Sequence, residues 1–401
     1  MLELESALEK ILAALPPAEG EDIPLAQAHG RVLMERILST VDLPLFDNSA
    51  MDGYAARSED LKGAAPESSV QLRLLGKVAA GQMFAEEVKA GTCVRLFTGS
   101  PVPRGADSVI MQEDTRLDPA CPGAVSFLDC PKPWENVRLQ GEDLKRGAMV
   151  VEAGGILNPG RLGLLAAVGV MRVRVGRQPR VGLLASGSEL VEGGQPLFPG
   201  AIYESNRLAL SALIARAGGV SRVFPLVRDT LTETRRALEQ ALTECDMVVT
   251  SGGVSVGEMD FIKTAFEELG GQLQFWKVAI KPGRPFAFGR WKKSFLFGLP
   301  GNPVSAFVTF LLLVRPALAR WQGAMDTTLP AHPGILAEPL ANPGNRRHFM
   351  RVRVDQSGKV RSTGAQASHI LTSLAEANGL VDMPPQTTLE SGSTVPVLRW
   401  D

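Results

Sequence analysis

Cysteine is scarce in this 401-residue chain: Cys93, Cys121, Cys130 and Cys245 are all there is. No two of them form a C-x-x-C pair, so neither a zinc site nor a thioredoxin-like motif is suggested, and reduced thiols in a cytosolic protein are expected. Histidine is equally rare, with four residues, and none pairs legibly with a nucleophile. A hydrolase triad is therefore not read. A basic excess is missing too: 42 Lys+Arg stand against 43 Asp+Glu, a net charge of −1, which argues against a nucleic-acid binder. The longest apolar run, Pro303 to Val314, is cut by Arg315 and falls short of the ~20 residues that span a bilayer. Met1-Leu2-Glu3-Leu4-Glu5 lacks the basic region and apolar core of a signal peptide. A soluble, cytoplasmic protein without membrane or nucleic-acid partners is the expectation. There is no G-x-x-x-x-G-K-[ST] P-loop, no internal repeat and no long low-complexity segment.

Glycine (41) and proline (28) are plentiful, which fits many loops and turns. At ~100–200 residues per domain, the length allows two to four domains. One stretch organises the rest: Thr250-Ser251-Gly252-Gly253-Val254-Ser255-Val256-Gly257-Glu258-Met259-Asp260. The β-branched run Asp246-Met247-Val248-Val249 precedes it, and helical spacing from Phe261 to Leu269 follows. The pattern is strand, glycine-rich turn, helix. Such a turn lets backbone approach a ligand and presents helix N–H groups to an anion. A tight turn with no ligand would explain the glycines. It does not readily explain two serines and two acids in the same few residues. The turn lacks G-x-G-x-x-G spacing, so no dinucleotide fingerprint is read.

Taken in order, residues 4–15 have helical spacing and end at Pro16-Pro17. Residues 42–55 crowd Pro, Asp, Asn, Ser and Gly and read as a loop. From about 55 to 138 the pattern is β, with Val70–Leu75 and Cys93–Phe97 largely alternating. Arg161–Val168 is helical, and Val170–Val175 alternates. The first 40 residues and this later segment are expected to pair into one element around the β-rich insertion. Residues 178–321 alternate strands with helices, which implies a parallel sheet with right-handed crossovers. Ligands then bind beyond the strands' carboxyl ends, where the loops at 186–189, 228–229, 251–260 and 298–303 should meet. Leu273–Ile280 and Ser294–Phe297 read as extended. Residues 330–401 return to short extended segments.

Lys277-Val278-Ala279-Ile280-Lys281-Pro282-Gly283-Arg284 gathers three cations. Lys277 and Lys281, four apart on an extended chain, are expected to share a face and to cradle an oxyanion, unless the run is simply a solvated basic face. In Gly298-Leu299-Pro300-Gly301-Asn302-Pro303, Asn302 suits an N-cap and Pro303 the first helical position. Asp52, Glu189, Asp229, Glu258 and Asp260 are acids at turns. Acids beside a phosphate site suit Mg²⁺, and equally serve as caps or surface charges.

These residues together resemble the molybdopterin molybdenumtransferases, the MoeA family, of gephyrin E-domain type. The resemblance rests on 46–55, 98–103, 251–260, 281–285 and 298–303, in the family's order and over nearly the whole chain. It implies a multidomain α+β fold: an elongated split domain (1–44 with 139–176), an inserted β-rich domain (45–138), a three-layer molybdopterin-binding α/β domain with a mainly parallel sheet (177–325) and a C-terminal β barrel (326–401). It implies a homodimer with a shared cleft, and a reaction in which molybdate enters adenylyl-molybdopterin, releasing AMP, with Mg²⁺ as cofactor. The adenylyltransferase that makes the substrate and the molybdoenzymes that receive the product are implied partners.

By motif, the resemblance assigns catalytic roles to Asp52, Thr98, Asp229, Asp260, Lys277 and Lys281. It assigns cofactor binding to Glu189, Ser251, Gly252, Gly253, Ser255, Gly257, Arg284, Pro300, Gly301, Asn302, Pro303, Arg351 and Ser373, the last two on the molybdate side. Asp260 and Asp52 are the implied metal ligands. Arg284 stands where many relatives have lysine, which keeps the charge and changes the hydrogen-bond geometry. Two alternatives stay open at this point: a molybdopterin adenylyltransferase, which shares the central domain, and a non-catalytic pterin-binding scaffold.

Overall fold

The computed structural model describes residues 1–117, 119, 121–253 and 261–400. The chain divides into two compact units. One comprises Met1–Glu35, Ala153–Asn158 and everything from Arg172 onward; the other comprises Arg36–Glu152 and Pro159–Met171.

The smaller unit is built on a six-stranded sheet in the order Ser108–Met111, Gly53–Ala56, Thr92–Leu96, Val70–Val78, Ala124–Phe127, Thr115–Leu117. Its pairings are antiparallel except between Val70–Val78 and Thr92–Leu96. Alternation sends Tyr54, Cys93 and Ile110 into one apolar cluster and Ala55, Val94 and Val109 into another, so the sheet is covered on both faces. Gly53 sits where a Cβ would meet the Ile110 carbonyl oxygen at 2.0 Å, so only glycine fits directly after Asp52. Short ladders join Asn48–Ser49 to Val137–Arg138 and Ile37–Leu38 to Met149–Val151.

The larger unit holds a second six-stranded sheet. Val220–Val223, Arg180–Ala185, Met247–Ser251 and Ser294–Leu299 run parallel in that spatial order. Pro285–Trp291 and Gln272–Lys277 extend the sheet antiparallel. Alternation again divides the side chains. Val181, Leu183, Met247, Val249, Phe295 and Phe297 pack with the helices Leu4–Ala14, Asn206–Arg216 and Pro303–Trp321. Val248, Leu296 and Ala287 face the helices Leu231–Glu244 and Phe261–Glu268. The result is the expected three-layer α/β domain, with an antiparallel extension that the sequence pattern did not reveal. In the N-terminal part of this unit, Gly20–Pro24 pairs antiparallel with Arg172–Gly176.

Pro303–Trp321 is long and apolar enough to cross a membrane by length and composition, yet most of it is buried in this core. Its middle, Phe310–Val314, is π-helical. The widened turn comes just before Pro316, whose ring nitrogen cannot donate to the preceding turn.

The strands Arg347–Val354, Lys359–Ser362, Ala331–Leu336, Thr394–Arg399 and Gly379–Met383 pair in that order, and the last returns to the first, closing a barrel. Met350, Val352, Val360, Val381, Val395 and Val397 fill it. Ile280–Lys281, leaving the α/β domain, pairs in parallel with the start of Arg347–Val354.

Candidate functional site

Three parallel strands end together, at Ala185, Ser251 and Leu299. The chain beyond each is tied to its neighbour. Ser186 N donates to Ser251 O at 3.2 Å, and Gly252 N donates to Leu299 O at 3.1 Å. Gly252 and Gly253 adopt φ of 86° and 69°, and a Cβ on either would press on Ser186 or Ile262. The glycines are thus required by the turn's own geometry.

A cleft of about 690 Å³ opens over these ends. Glu189, Asp229, Ser251, Gly252, Gly253, Pro300, Gly301, Asn302 and Pro303, all expected from the sequence, line it. Ser255, Gly257, Glu258 and Asp260 lie outside the described residues. Ser188 N donates to Asp229 Oδ2 at 2.8 Å, and Asp229 N donates to Ser188 Oγ at 3.3 Å, which fixes the Asp229 loop against the first turn.

The structure adds residues that the motifs do not single out. Asn206, the first residue of the helix Asn206–Arg216, donates through Nδ2 to Ser251 Oγ and to Gly301 O, both at 2.7 Å. It bridges the two glycine turns. Next to it, the buried Arg207 donates to both Glu192 oxygens at 2.7 and 2.8 Å, to Glu204 Oε2 at 3.0 Å and to the Phe224 carbonyl at 2.6 Å. Arg207 thereby latches a strap that runs from Leu190–Val191 to its parallel partner Ile202–Tyr203 and carries cleft residues Ile202, Tyr203 and Glu204. In sequence both residues look like an ordinary helix start. Their roles depend mainly on partners up to 95 positions away.

Asn302 behaves differently from its expected cap role. It holds the N-cap position with Pro303 next, but its side chain makes no capping bond. It donates instead to Ser368 Oγ at 3.1 Å, while Val304 N donates to Ser368 O at 3.2 Å. Residues 365–371 of the C-terminal region thereby close one wall of the cleft, to which His369 and Leu371 contribute.

Arg351 braces that wall. It is fully buried and donates through Nε to Ser373 Oγ at 2.9 Å and through Nη2 to the carbonyls of Ala365 and Ala367 at 2.8 and 3.2 Å. Its Nη1 has no acceptor among the described residues. Burial without a carboxylate partner lowers its pKa. Arg351 and Ser373 are thus brought together, just behind the cleft lining.

The basic loop is arranged otherwise than its spacing suggests. Gln272–Lys277 ends at Lys277, Ala279 is a bend, and Ile280–Lys281 joins the barrel. Lys277 and Lys281 therefore belong to different sheets and share no strand face. Lys281 and Arg284 are exposed. Among the described residues, neither they nor Lys277 line the cleft, although Pro285 does. Carboxylates (Glu189, Glu204, Asp229) are the charged groups of the lining, with His369 its one imidazole.

In the smaller unit, Asp52 and Thr98 meet directly. Thr98 N and Thr98 Oγ1 both donate to Asp52 Oδ1 at 2.7 Å. The backbone bond first, then the hydroxyl, then nearby Arg95 hold the exposed Asp52 carboxyl below its ordinary range. No group of three or more His, Cys, Asp or Glu is placed to hold a metal among the described residues.

A parallel sheet with a cleft at its carboxyl edge, a separate β-sheet unit and a closed barrel define a multidomain α+β protein. Three family descriptions match in sequence order: MoeA N-terminal region (domain I and II) over residues 2–169, probable molybdopterin binding domain over 182–320, and MoeA C-terminal region (domain IV) over 333–400. The molybdopterin molybdenumtransferase of Haemophilus influenzae is 41% identical over 404 residues, covering 99% of this chain and 98% of its own. Molybdopterin molybdenumtransferase 2 of Mycobacterium tuberculosis is 38% identical, with 94% of each chain covered. The crystal structure of the molybdopterin biosynthesis MoeA protein from Pyrococcus horikoshii superimposes with a TM-score of 0.84 at 31% identity, over 100% of both chains. The chain belongs to the MoeA family of molybdopterin molybdenumtransferases.

Proposed function

We propose that this protein is a molybdopterin molybdenumtransferase: it inserts molybdate into adenylyl-molybdopterin, releasing AMP and forming molybdenum cofactor. The observation that carries the reading is the full-length 41% identity to an enzyme of that name. The cleft supports it. Glycine turns at the ends of three parallel strands let a substrate approach the backbone closely. The Arg351–Ser373 pair, buried behind the cleft lining with no carboxylate partner among the described residues, places positive charge that suits an oxyanion such as molybdate. Lys277, Lys281 and Arg284 are proposed to supply positive charge to the substrate from outside the cleft lining. Catalysis is then mainly positioning and charge stabilisation.

Mg²⁺ fits the donor set at Asp52, an exposed carboxylate held ionised with Oδ2 uncommitted among the described residues. Mg²⁺ commonly takes one or two carboxylates plus phosphate oxygens. When bound, it neutralises pyrophosphate charge. Thr98 orients Asp52 for that task, and Asp229, fixed by Ser188, faces the cleft as an acceptor. Asp260 is proposed as the second metal ligand. The protein is further proposed to act as a cytoplasmic homodimer with a shared cleft, to receive substrate from a molybdopterin adenylyltransferase and to pass product to molybdoenzymes.

The test is incubation with adenylyl-molybdopterin, Mg²⁺ and molybdate, following AMP release and metal incorporation together. Both are expected, in step. Accumulation of adenylyl-molybdopterin from molybdopterin and ATP, with no molybdate-dependent AMP release, would overturn the assignment in favour of an adenylyltransferase.

A further inference from the structure

We propose that Asn206 reads the bound heterocycle of the substrate: its amide NH₂ ties the two glycine turns together, and its carbonyl oxygen accepts a hydrogen bond from an N–H donor of the pterin. The inference deepens the proposed function and rests on it.

The amide orientation is fixed by chemistry. Gly301 O can only accept, so the Asn206 atom 2.7 Å from it is the nitrogen. The same nitrogen reaches Ser251 Oγ at 2.7 Å. Both N–H groups are then committed within the protein, and Oδ1 is the end left over. Among the described residues it has no hydrogen-bond donor, and Asn206 lines the cleft. The residue has little freedom to turn away. It opens a helix whose next residue, Arg207, is buried and held by Glu192, Glu204 and Phe224 O.

The surroundings select the ligand group. Glu189 and Asp229 line the same cleft, Glu204 is paired with Arg207, and no lysine or arginine is among the described lining. A phosphate oxygen next to Oδ1 would set acceptor against acceptor. An N–H donor satisfies Oδ1. A pterin carries such donors in its amino group and ring N–H, and the adenine of the same substrate carries one in its 6-amino group, whereas the pyrophosphate carries none. A heterocycle therefore suits Oδ1 and the anion does not, and we assign that heterocycle as the pterin.

The experiment is a fluorescence titration of the whole protein with pterin and with lumazine, in which a carbonyl acceptor replaces the 2-amino donor. It is run in parallel with AMP and IMP, in which the same exchange is made at the 6-amino group. A preference for AMP over IMP that is lost in Asn206→Ala would overturn the pterin assignment. The intact protein is expected to prefer pterin by roughly tenfold, the discrimination expected when an acceptor built for a donor is left unpaired. Asn206→Ala is expected to reduce that preference to within about twofold. Asn206→Asp removes the tie to Gly301 and keeps an acceptor, so it should loosen binding overall and retain the preference. The opposite responses of the two variants separate ligand reading from a purely structural clamp. An unchanged preference in Asn206→Ala, with pterin still bound by the intact protein, overturns this inference alone. Failure of the intact protein to bind pterin overturns it together with the proposed function.

Discussion

Arg351 donates Nε to Ser373 Oγ at 2.9 Å while its Nη1, with no solvent access, has no acceptor among the described residues. A buried guanidinium short of one partner is costly, since an unsatisfied polar group costs about 1–3 kcal/mol and a charged one more. Its charge, unpaired by any carboxylate among the described residues, favours an oxyanion bound at the wall it braces. Ser373→Ala and Arg351→Gln are therefore expected to raise the molybdate concentration for half-maximal rate by roughly tenfold or more, with a much smaller change for adenylyl-molybdopterin. Steady-state kinetics with each substrate varied in turn checks this. Equal effects on both substrates would assign the pair to bracing the wall at 365–371 and nothing more.

The Thr98 hydroxyl helps to hold the Asp52 carboxyl below its ordinary range. Thr98→Val leaves the backbone bond and removes the hydroxyl, so the Asp52 pKa should rise. If ionised Asp52 is needed for turnover, the acid limb of the pH–rate profile moves to higher pH, with little change near neutrality. A profile superimposable on that of the unaltered protein would separate Asp52 from the rate-limiting ionisation.

His348 is buried in the barrel wall, and its Nε2 has no partner among the described residues. Burial first, then Lys281, Arg351 and Arg346, push its pKa from 6.5 down to about 4. The unfolded chain binds a proton below about pH 6.5 that the folded protein refuses until about pH 4, so stability is full above that window and falls as pH drops through it. Chemical denaturation at pH 7 and pH 4.5 should show an acid loss smaller by ~2 kcal/mol in His348→Gln, which carries no titrating group there. Identical losses in the two proteins would mean that His348 takes up its proton at the same pH in the folded and unfolded states.

The helices and parallel strands of the α/β domain were legible because alternation and helical periodicity coincide with real faces. The helix at 231–244 matches its periodicity end to end. Pro285–Trp291 was not legible: it starts with proline, contains Gly289 and is buried on both faces, so no polar alternation marks it. The four-residue spacing of Lys277 and Lys281 suggested one face only because the bend at Ala279 leaves no composition signal. Glu189, Asp229 and the 298–303 turn were recognisable as cleft residues from their position after strands. Asn206 and Arg207 were not, since nothing local distinguishes a bridging asparagine from a helix-starting one. The same limit hid the burial of Arg351, which reads in sequence as one more charge on an alternating strand.

Ile280–Lys281 occupies the same edge of Arg347–Val354 that Lys359–Ser362 takes further along. The barrel's first long strand thus borrows two residues of its hydrogen-bonding partner from a segment nearly seventy positions upstream. For anyone exchanging modules between relatives, the transferable part is not 326–401 by itself. A chimera joined at that boundary keeps a closed barrel yet inherits a foreign edge at the point where Lys281 meets His348, and the seam of such a graft should be cut before residue 280 or matched on both sides.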